Sequence, residues 1–253
     1  MYDTRYEDGC EWMVRQSPAE VRGPVRATRE LSRRQVLGDE LYESLKEQIM
    51  DLRIAPRARL NIDQLARDFG VSSTPVRESL ARLEAEGLLQ RRALYGYFTT
   101  PVLSKVRLTE LMGVRLMIEP AVASTAAQSI GEKPLALLQS LVDEMTRPSA
   151  QSGATGPSYR SYRDFASHDA LFHDTIAMQA GNSLLRDLLA GLHTHLHLYR
   201  LYFGNEIAPR AAEEHATIVA ALRSHDPVMA ASAMSTHINQ ALMRLLPMAS
   251  DGE

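Results

Sequence analysis

LARDFGVSSTPVRESLARLEAEGLL, residues 65–89, contains the end of one helix, a tight turn and a complete second helix. The first helix begins after Asn61, a residue suited to an N-cap, and ends at Gly70, which suits a C-cap. The second has Thr74 as its expected N-cap, a proline at its first helical position and Gly87 as its terminator. Two short helices joined so closely predict a helix-turn-helix.

The segments on either side complete a small domain. Upstream, LGDELYESLKEQIMDL (37–52) repeats apolar residues at helical spacing along one stripe. Downstream, LLQRR (88–92) and YFTT (97–100) flank ALYG, which predicts a two-stranded hairpin with Gly96 at its tip. Three short helices closed by a hairpin are typical of a winged helix-turn-helix, so residues 36–101 are interpreted as a DNA-binding domain.

The N-terminal end of the second helix offers side chains that suit DNA. They are Ser72, Ser73, Thr74 and Arg77. Hydroxyl groups and free backbone N–H groups suit phosphate oxygens, and Arg77 can fork onto a guanine edge or a phosphate. Gly96 would let the hairpin lie close against the minor groove. The alternative interpretation is a helical protein-interaction module whose arginines are incidental.

From Ser104 onward the sequence predicts helices alone. Apolar residues recur at three- and four-residue spacing, which predicts an all-α six-helix bundle over residues 104–248. Pro120 should kink or split the first helix. The fold class is therefore mainly α, with a winged helix-turn-helix followed by a helical bundle. The six predicted segments are 105–129, 134–146, 160–180, 183–203, 208–224 and 227–246.

Charge is distributed unevenly along the chain. Residues 1–35 are polar and lack periodicity, so they are predicted to form a flexible extension. Within them, VRGPVRATRELSRR (21–34) has five arginines and one glutamate, which fits either a solvated arm or one that contacts phosphates. The net charge of −3 gives no overall electrostatic argument for nucleic acid.

Composition points to a globular protein of the cytoplasm. Hydrophobic residues make up 45% and charged residues 23% of the chain. The only cysteine, Cys10, excludes an internal disulfide framework. The first thirty residues contain no apolar signal region, and no apolar run is long enough to cross a bilayer. We therefore expect a cytoplasmic protein without membrane partners.

Histidines and one carboxylate indicate a metal site in the helical segment. In DALFHD, Asp169 and His173 lie one helical turn apart. His215 and His237 lie beside apolar stripes on two other predicted helices. One histidine on such a face is usually a core residue, but three with a carboxylate suit a divalent ion, namely zinc, nickel or manganese. HTHLH (193–197) is a competing cluster, for which an exposed helix surface is favoured.

The stretch quoted first resembles the DNA-binding signature of GntR-family bacterial repressors. The resemblance covers residues 37–101 and implies DNA contacts from the four side chains at the helix start, with Gly96 at the wing tip. The position of Ser73 is more often arginine in that family. A hydroxyl cannot make the bidentate guanine contact of an arginine, so a different base preference is expected there.

Three later blocks resemble the FadR C-terminal (FCD) domain of the smaller, VanR-like branch. They are VRLMIEPAVASTAA, DALFHDTIAMQAGNSLL and EEHATIVAALRSHDPVMAASAMSTHI. The resemblance implies a divalent metal, with zinc first, and a neighbouring pocket for a small carboxylate effector. Arg115 matches an arginine that faces this pocket, although an ion pair with Glu119 one turn away is an equal alternative. The metal ligands implied are Asp169, His173, His215 and His237.

Three interpretations of the function follow from these features. The favoured one is a ligand-responsive transcriptional regulator, generally a repressor, that binds an inverted-repeat operator as a homodimer. The rival is a metal-dependent enzyme, since such a centre can activate water. No convergent nucleophile or separate base emerges, apart from Glu214 beside His215. A third interpretation, an interaction protein with a structural metal, leaves the winged-helix signature without a purpose.

Overall fold

The computed structural model describes residues 26–147, 159–202 and 208–251. The N-terminal domain packs three helices against a small antiparallel sheet with the strand order β1-β3-β2. Its elements are α1 (Arg26–Met50), β1 (Arg59–Leu60), α2 (Ile62–Asp68), α3 (Ser73–Ala85), β2 (Leu89–Arg92) and β3 (Gly96–Thr99).

The first helix begins earlier than the sequence predicts. The structure has α1 starting at Arg26, so residues 26–35 are helical rather than part of a flexible extension. This segment lacks apolar periodicity, but it contains good helix formers and neither glycine nor proline, so the helix continues outward from its packed part. The rest of the predicted extension, residues 1–25, lies outside the described residues.

The helix-turn-helix forms with one change at its second N-terminus. Asn61 caps α2 as predicted, its side chain accepting from the backbone of Asp63 at 2.9 Å. Ser72, rather than Thr74, is the N-cap residue of α3, because Ser72 is extended and helical backbone already begins at Ser73. Pro75 therefore stands third in the helix, still within the first turn where no intrahelical donor is needed.

The wing differs from the predicted hairpin in two ways. β1 adds a third strand, which pairs Arg59 with Phe98; at two residues it is too short for a periodic signal. Gly96 is not at the tip, because it opens β3 and pairs with Arg92. The prediction of Gly96 as the tip was wrong, and the turn is made by residues 93–95.

Within the described residues, the second domain has seven α helices rather than six. The predicted segment 183–203 divides in two, because His193 has a positive φ of 46° that no continuous helix accommodates. The first helix continues through Pro120 without splitting. The helices are α4 (Lys105–Ala127), α5 (Glu132–Thr146), α6 (Tyr159–Gln179), α7 (Ser183–Gly191), α8 (Thr194–Tyr202), α9 (Ala208–Arg223) and α10 (Pro227–Leu245), followed by a 3-10 turn at Leu246–Met248.

Helix α8 joins the two domains. Leu196 and Tyr199 of α8, with Tyr159 of α6, are buried in the same apolar cluster as Leu41 and Leu45 of α1. This shared cluster removes apolar surface of both domains from water, which stabilises their contact. Among the described helices, none is both long and apolar enough to span a lipid bilayer.

Arg200 of α8 anchors the linker between the domains. Its side chain is 2% exposed. Its Nη2 donates to the carbonyl of Thr100 at 2.9 Å, and its Nη1 donates to the carbonyl of Pro101 at 3.3 Å. Burial lowers the pKa of Arg200 to about 10, so the guanidinium keeps its charge at neutral pH. A displacement of α8 must therefore move the linker as well.

Candidate metal centre and DNA-contacting helix

Three histidines from three helices converge in the core of the second domain. His173 lies on α6, His215 on α9 and His237 on α10. A ligand-capable atom of each lies within 4.8 Å of the others. His215 and His237 are buried, with 0% and 4% of their surface exposed. The structure thus brings together all three histidines that the sequence proposes as metal ligands.

Two carboxylates lie beside two of the three rings. Oε2 of Glu119 lies 2.6 Å from Nδ1 of His173, and Oε2 of Glu214 lies 2.8 Å from Nδ1 of His237. An ionised carboxylate only accepts hydrogen bonds, so Nδ1 of His237 carries the proton and its Nε2 lone pair is left available. Nδ1 of His173 lies close to Glu119 but forms no hydrogen bond within the described residues. The contact between His237 and Glu214 is the arrangement that holds histidine ligands around metal ions.

Both carboxylates are ionised. Burial raises the pKa of Glu119, but the charge of Arg115 and the contact with His173 outweigh it, so the pKa falls well below its usual range. Burial also raises the pKa of Glu214, but hydrogen bonds from His237 and Arg244 outweigh this effect, so the pKa lies below its ordinary value. Neither carboxylate was predicted in this role, because each acts on a histidine of a different helix and no sequence spacing reveals the pair.

The imidazole of His215 is buried without a hydrogen bond among the described residues. Within the described part of the chain, neither of its ring nitrogens makes a hydrogen bond. Its ring lies 4.3 Å from that of Phe172, between centroids. Burial, with His237 and His173 nearby, keeps the pKa of His215 well below its ordinary value, so the imidazole is neutral. A buried polar ring without partners is costly, and a metal ion would satisfy its lone pair.

Asp169 lies at the edge of this group. Its Oδ1 is 3.4 Å from Nε2 of His215 and 4.0 Å from Nε2 of His173. The group whose ligand atoms all lie within 4.8 Å of one another consists of the three histidines and does not include Asp169. Its role as the fourth ligand therefore stays a prediction.

Arg115 forms the ion pair with Glu119 and also lines a cavity, while its contact with an effector stays a prediction. It is buried and pairs with Glu119, with Nη2 at 3.2 Å from Oε2. The same Nη2 lies 3.4 Å from Nε2 of His173, and Arg115 also lines a cavity of about 200 Å³ beside the histidines. Other polar residues around this cavity are Asp169, Asp174, Arg186 and His195.

The competing histidine cluster lies between the domains rather than on an exposed surface. A Cβ placed on Gly87, at the end of α3, would lie 3.2 Å from the ring of His193 and 3.4 Å from that of His197. His195 instead lines the cavity. The prediction of an exposed helix surface was wrong, because the break at His193 turns α8 against the N-terminal domain.

The start of α3 is open to solvent. Ser72, Ser73, Thr74 and Arg77 are all exposed, while the opposite side of the helix is fully buried through its apolar residues. The buried apolar residues are Val76, Leu80 and Leu83, as predicted. The four polar side chains therefore form one free surface at the helix N-terminus, where backbone N–H groups also favour anions.

Two family models divide the chain at the boundary seen in the structure. Residues 37–98 match the bacterial regulatory proteins of the gntR family, and residues 110–240, just over half of the 253-residue chain, match the FCD domain. The chain belongs to the GntR family. It is a DNA-binding transcriptional regulator with an FCD domain, which sets aside the metal-dependent enzyme.

Individual GntR-family proteins agree with this assignment. The HTH-type transcriptional regulator YdhC of Bacillus subtilis is 24% identical over 216 residues, which cover 85% of this chain and 93% of YdhC. The transcriptional repressor RspR of Escherichia coli is 25% identical over 213 residues, covering 83% and 90%. The solved structure of E. coli McbR/YncC has a TM-score of 0.61 at 23% identity, covers 83% of this chain and 96% of its own, and supports the fold.

Proposed function

We propose that this regulator is a repressor that binds an inverted-repeat operator as a homodimer and releases it when a small carboxylate binds beside a metal ion. The observation that carries the effector part is His215, a fully buried imidazole with no hydrogen bond from either ring nitrogen in the described chain. A regulator of the bacterial chromosome acts in the cytoplasm, where we place it.

The metal is held by His173, His215 and His237, with Asp169 as the fourth ligand. Three neutral imidazoles and a carboxylate suit zinc best, and nickel or manganese also fit this donor set. When bound, the ion supplies a positive charge that attracts an anionic ligand. Glu214 keeps the imidazole of His237 in the tautomer that presents Nε2.

The charges around the cavity explain why a carboxylate effector needs the metal. Arg115 is paired with Glu119, and Arg186 is paired with Asp174 through contacts of 2.6 and 2.7 Å. Asp169 adds a further negative charge at the cavity wall. The two cations are thus balanced before an effector enters, so the ion provides the attraction that binds its carboxylate. The cavity size favours a small acid.

Helix α8 supports a route from the cavity to the DNA. His195 of α8 lines the cavity, while Arg200, one and a half turns later, holds the linker at Thr100 and Pro101. In this proposal α8 has one position in the DNA-bound protein and another in the free protein. An effector that contacts His195 shifts the equilibrium between these two states by its difference in affinity for them, typically about 1–3 kcal/mol. The linker then changes the spacing of the two DNA-binding domains.

The test combines DNA and effector binding. DNA from upstream of the regulator's own gene is titrated with zinc-loaded protein in a gel-shift assay, and small carboxylates are screened for thermal stabilisation with and without chelator. We expect a shifted complex that one class of acid dissociates, and we expect chelator to abolish the thermal effect of that acid. Stabilisation that persists in chelator would contradict the metal-assisted site.

Glu214→Gln should weaken metal binding without removing a ligand. The amide keeps the size of the side chain but loses the charge that holds Nδ1–H of His237, so we expect zinc affinity to fall by about 10–100-fold. Competition with a fluorescent chelator measures the affinity. Glu213→Gln, at the exposed neighbouring position, is the matched control and should bind zinc as the unaltered protein does. Equal affinity in both variants would contradict the orienting role.

Ser73→Arg should change the base that is preferred in each half-site. Ser73 is exposed at the first position of α3, where a guanidinium fork can read guanine and a hydroxyl cannot. Selection from a randomised duplex library with each protein measures the preference, and we expect a new guanine in the Ser73→Arg motif. Identical motifs from both proteins would mean that Ser73 does not face a base.

A further inference from the structure

The turn of the wing contains a leucine, Leu94, that has an unfavourable backbone conformation and is fully exposed to solvent. The N–H of Tyr95 donates to the carbonyl of Arg92 at 3.1 Å, which makes Leu94 the third residue of a four-residue turn. Leu94 has a φ of 65°, where such turns usually have glycine or asparagine. Leu94 is fully exposed, so its side chain packs against nothing in the described protein. Neither backbone preference nor packing explains a leucine there.

The surroundings of Leu94 are basic. Arg91 and Arg92 immediately precede the turn and are exposed. The guanidinium carbon of Arg92 lies 4.5 Å from the centroid of the Phe98 ring, which holds this charge at the base of the tip. Residues 88–104 contain no acidic side chain. The tip therefore combines an apolar end with flanking positive charges on the domain that binds DNA.

We propose that Leu94 inserts into the minor groove as an apolar wedge at a base step, while Arg91 and Arg92 contact the adjacent phosphates. Leucine is one of the side chains that wedge between base pairs and kink the duplex. Insertion removes from water an apolar side chain that is otherwise fully exposed, which offsets part of the cost of unstacking. This inference rests on the proposed operator binding and adds a residue that selects flexible pyrimidine–purine steps.

Leu94→Asn gives a sharp test, because asparagine is favoured at this φ but lacks the apolar side chain. The probe is the duplex that the unaltered protein selects from a randomised library, with a dye at each end. We expect an unchanged or higher melting temperature, a smaller bend by energy transfer, and about tenfold weaker affinity, which corresponds to about 1.4 kcal/mol. Leu94→Met should keep the bend, and Ala93→Ser controls for changes to the turn.

Unchanged affinity and bend in Leu94→Asn would overturn the inference, and so would weaker affinity with an unchanged bend. Arg77→Ala on the same duplex separates this inference from the proposed function. If Arg77→Ala loses binding while Leu94→Asn does not, only the wedge is wrong. If Arg77→Ala binds normally as well, the docking of α3 in the major groove is wrong.

Discussion

Arg77→Ala is expected to abolish operator binding while the protein stays folded. Arg77 is exposed on the first turns of α3, and its helix is held from the other side by Val76, Leu80 and Leu83. Removing a bidentate contact costs about 1–3 kcal/mol per half-site, or about 2–6 kcal/mol for the two half-sites of a dimer. Even the lower figure weakens the complex by more than about tenfold.

The measurement pairs a gel shift on the selected duplex with circular dichroism and a melting curve. Alanine is a better helix former than arginine, so the fold of α3 should not suffer. Arg223→Ala, an exposed arginine at the end of α9 in the other domain, is the matched control and should bind normally. Normal binding by Arg77→Ala with a native spectrum would rule out this docking of α3.

Local signals made the N-terminal domain predictable. Asn61 and Gly70 mark a helix through capping and backbone conformation, which need no tertiary information. The same reasoning placed the start of α3 two residues too late, because three hydroxyl residues in a row each suit an N-cap. It also placed Gly96 at the tip, since the turn uses Leu94 in a conformation that sequence preferences assign to glycine.

The helical domain was predictable only in part, because its site depends on contacts between distant helices. Periodicity located the histidines on helices, and the family resemblance selected three that converge. The positions of Glu119 and Glu214 beside the histidines were not predicted, since Glu119 is far from His173 in sequence and Glu214 contacts a histidine of another helix. The break at His193 was not predicted either, because the apolar spacing of 183–203 continues across it. The positive φ of His193 depends on tertiary packing.

His215→Ala is expected to remove the metal and the effector response while DNA binding remains. The proposed centre ties α6, α9 and α10 together through their histidines, and loss of His215 leaves two imidazoles and a carboxylate at the edge. The DNA-binding domain keeps its own buried residues on α1 and α3, so its contact surface is unaffected. The operator complex should therefore form but no longer dissociate with the acid found in the thermal screen.

Three measurements on one preparation test this expectation, namely zinc content by elemental analysis, melting temperature, and operator affinity with and without the acid. His225→Asn is the control, because His225 is exposed, lies outside the centre and has a positive φ that asparagine tolerates. It should keep zinc and the response. Because alanine leaves a cavity at a fully buried position, His215→Gln provides a second variant that fills the space with a poorer ligand.

The outcomes separate the two roles of a buried ion. If the zinc-free variant still releases DNA normally when the acid is added, the coupling through the metal is wrong. If both variants unfold, the ion is structural, and the free energy of its binding belongs to folding rather than to regulation. If both stay folded, bind the operator and ignore the acid, the difference in effector affinity between the two states depends on the metal. That outcome is the one that the proposed route through α8 requires, because α8 contacts both the cavity and the linker.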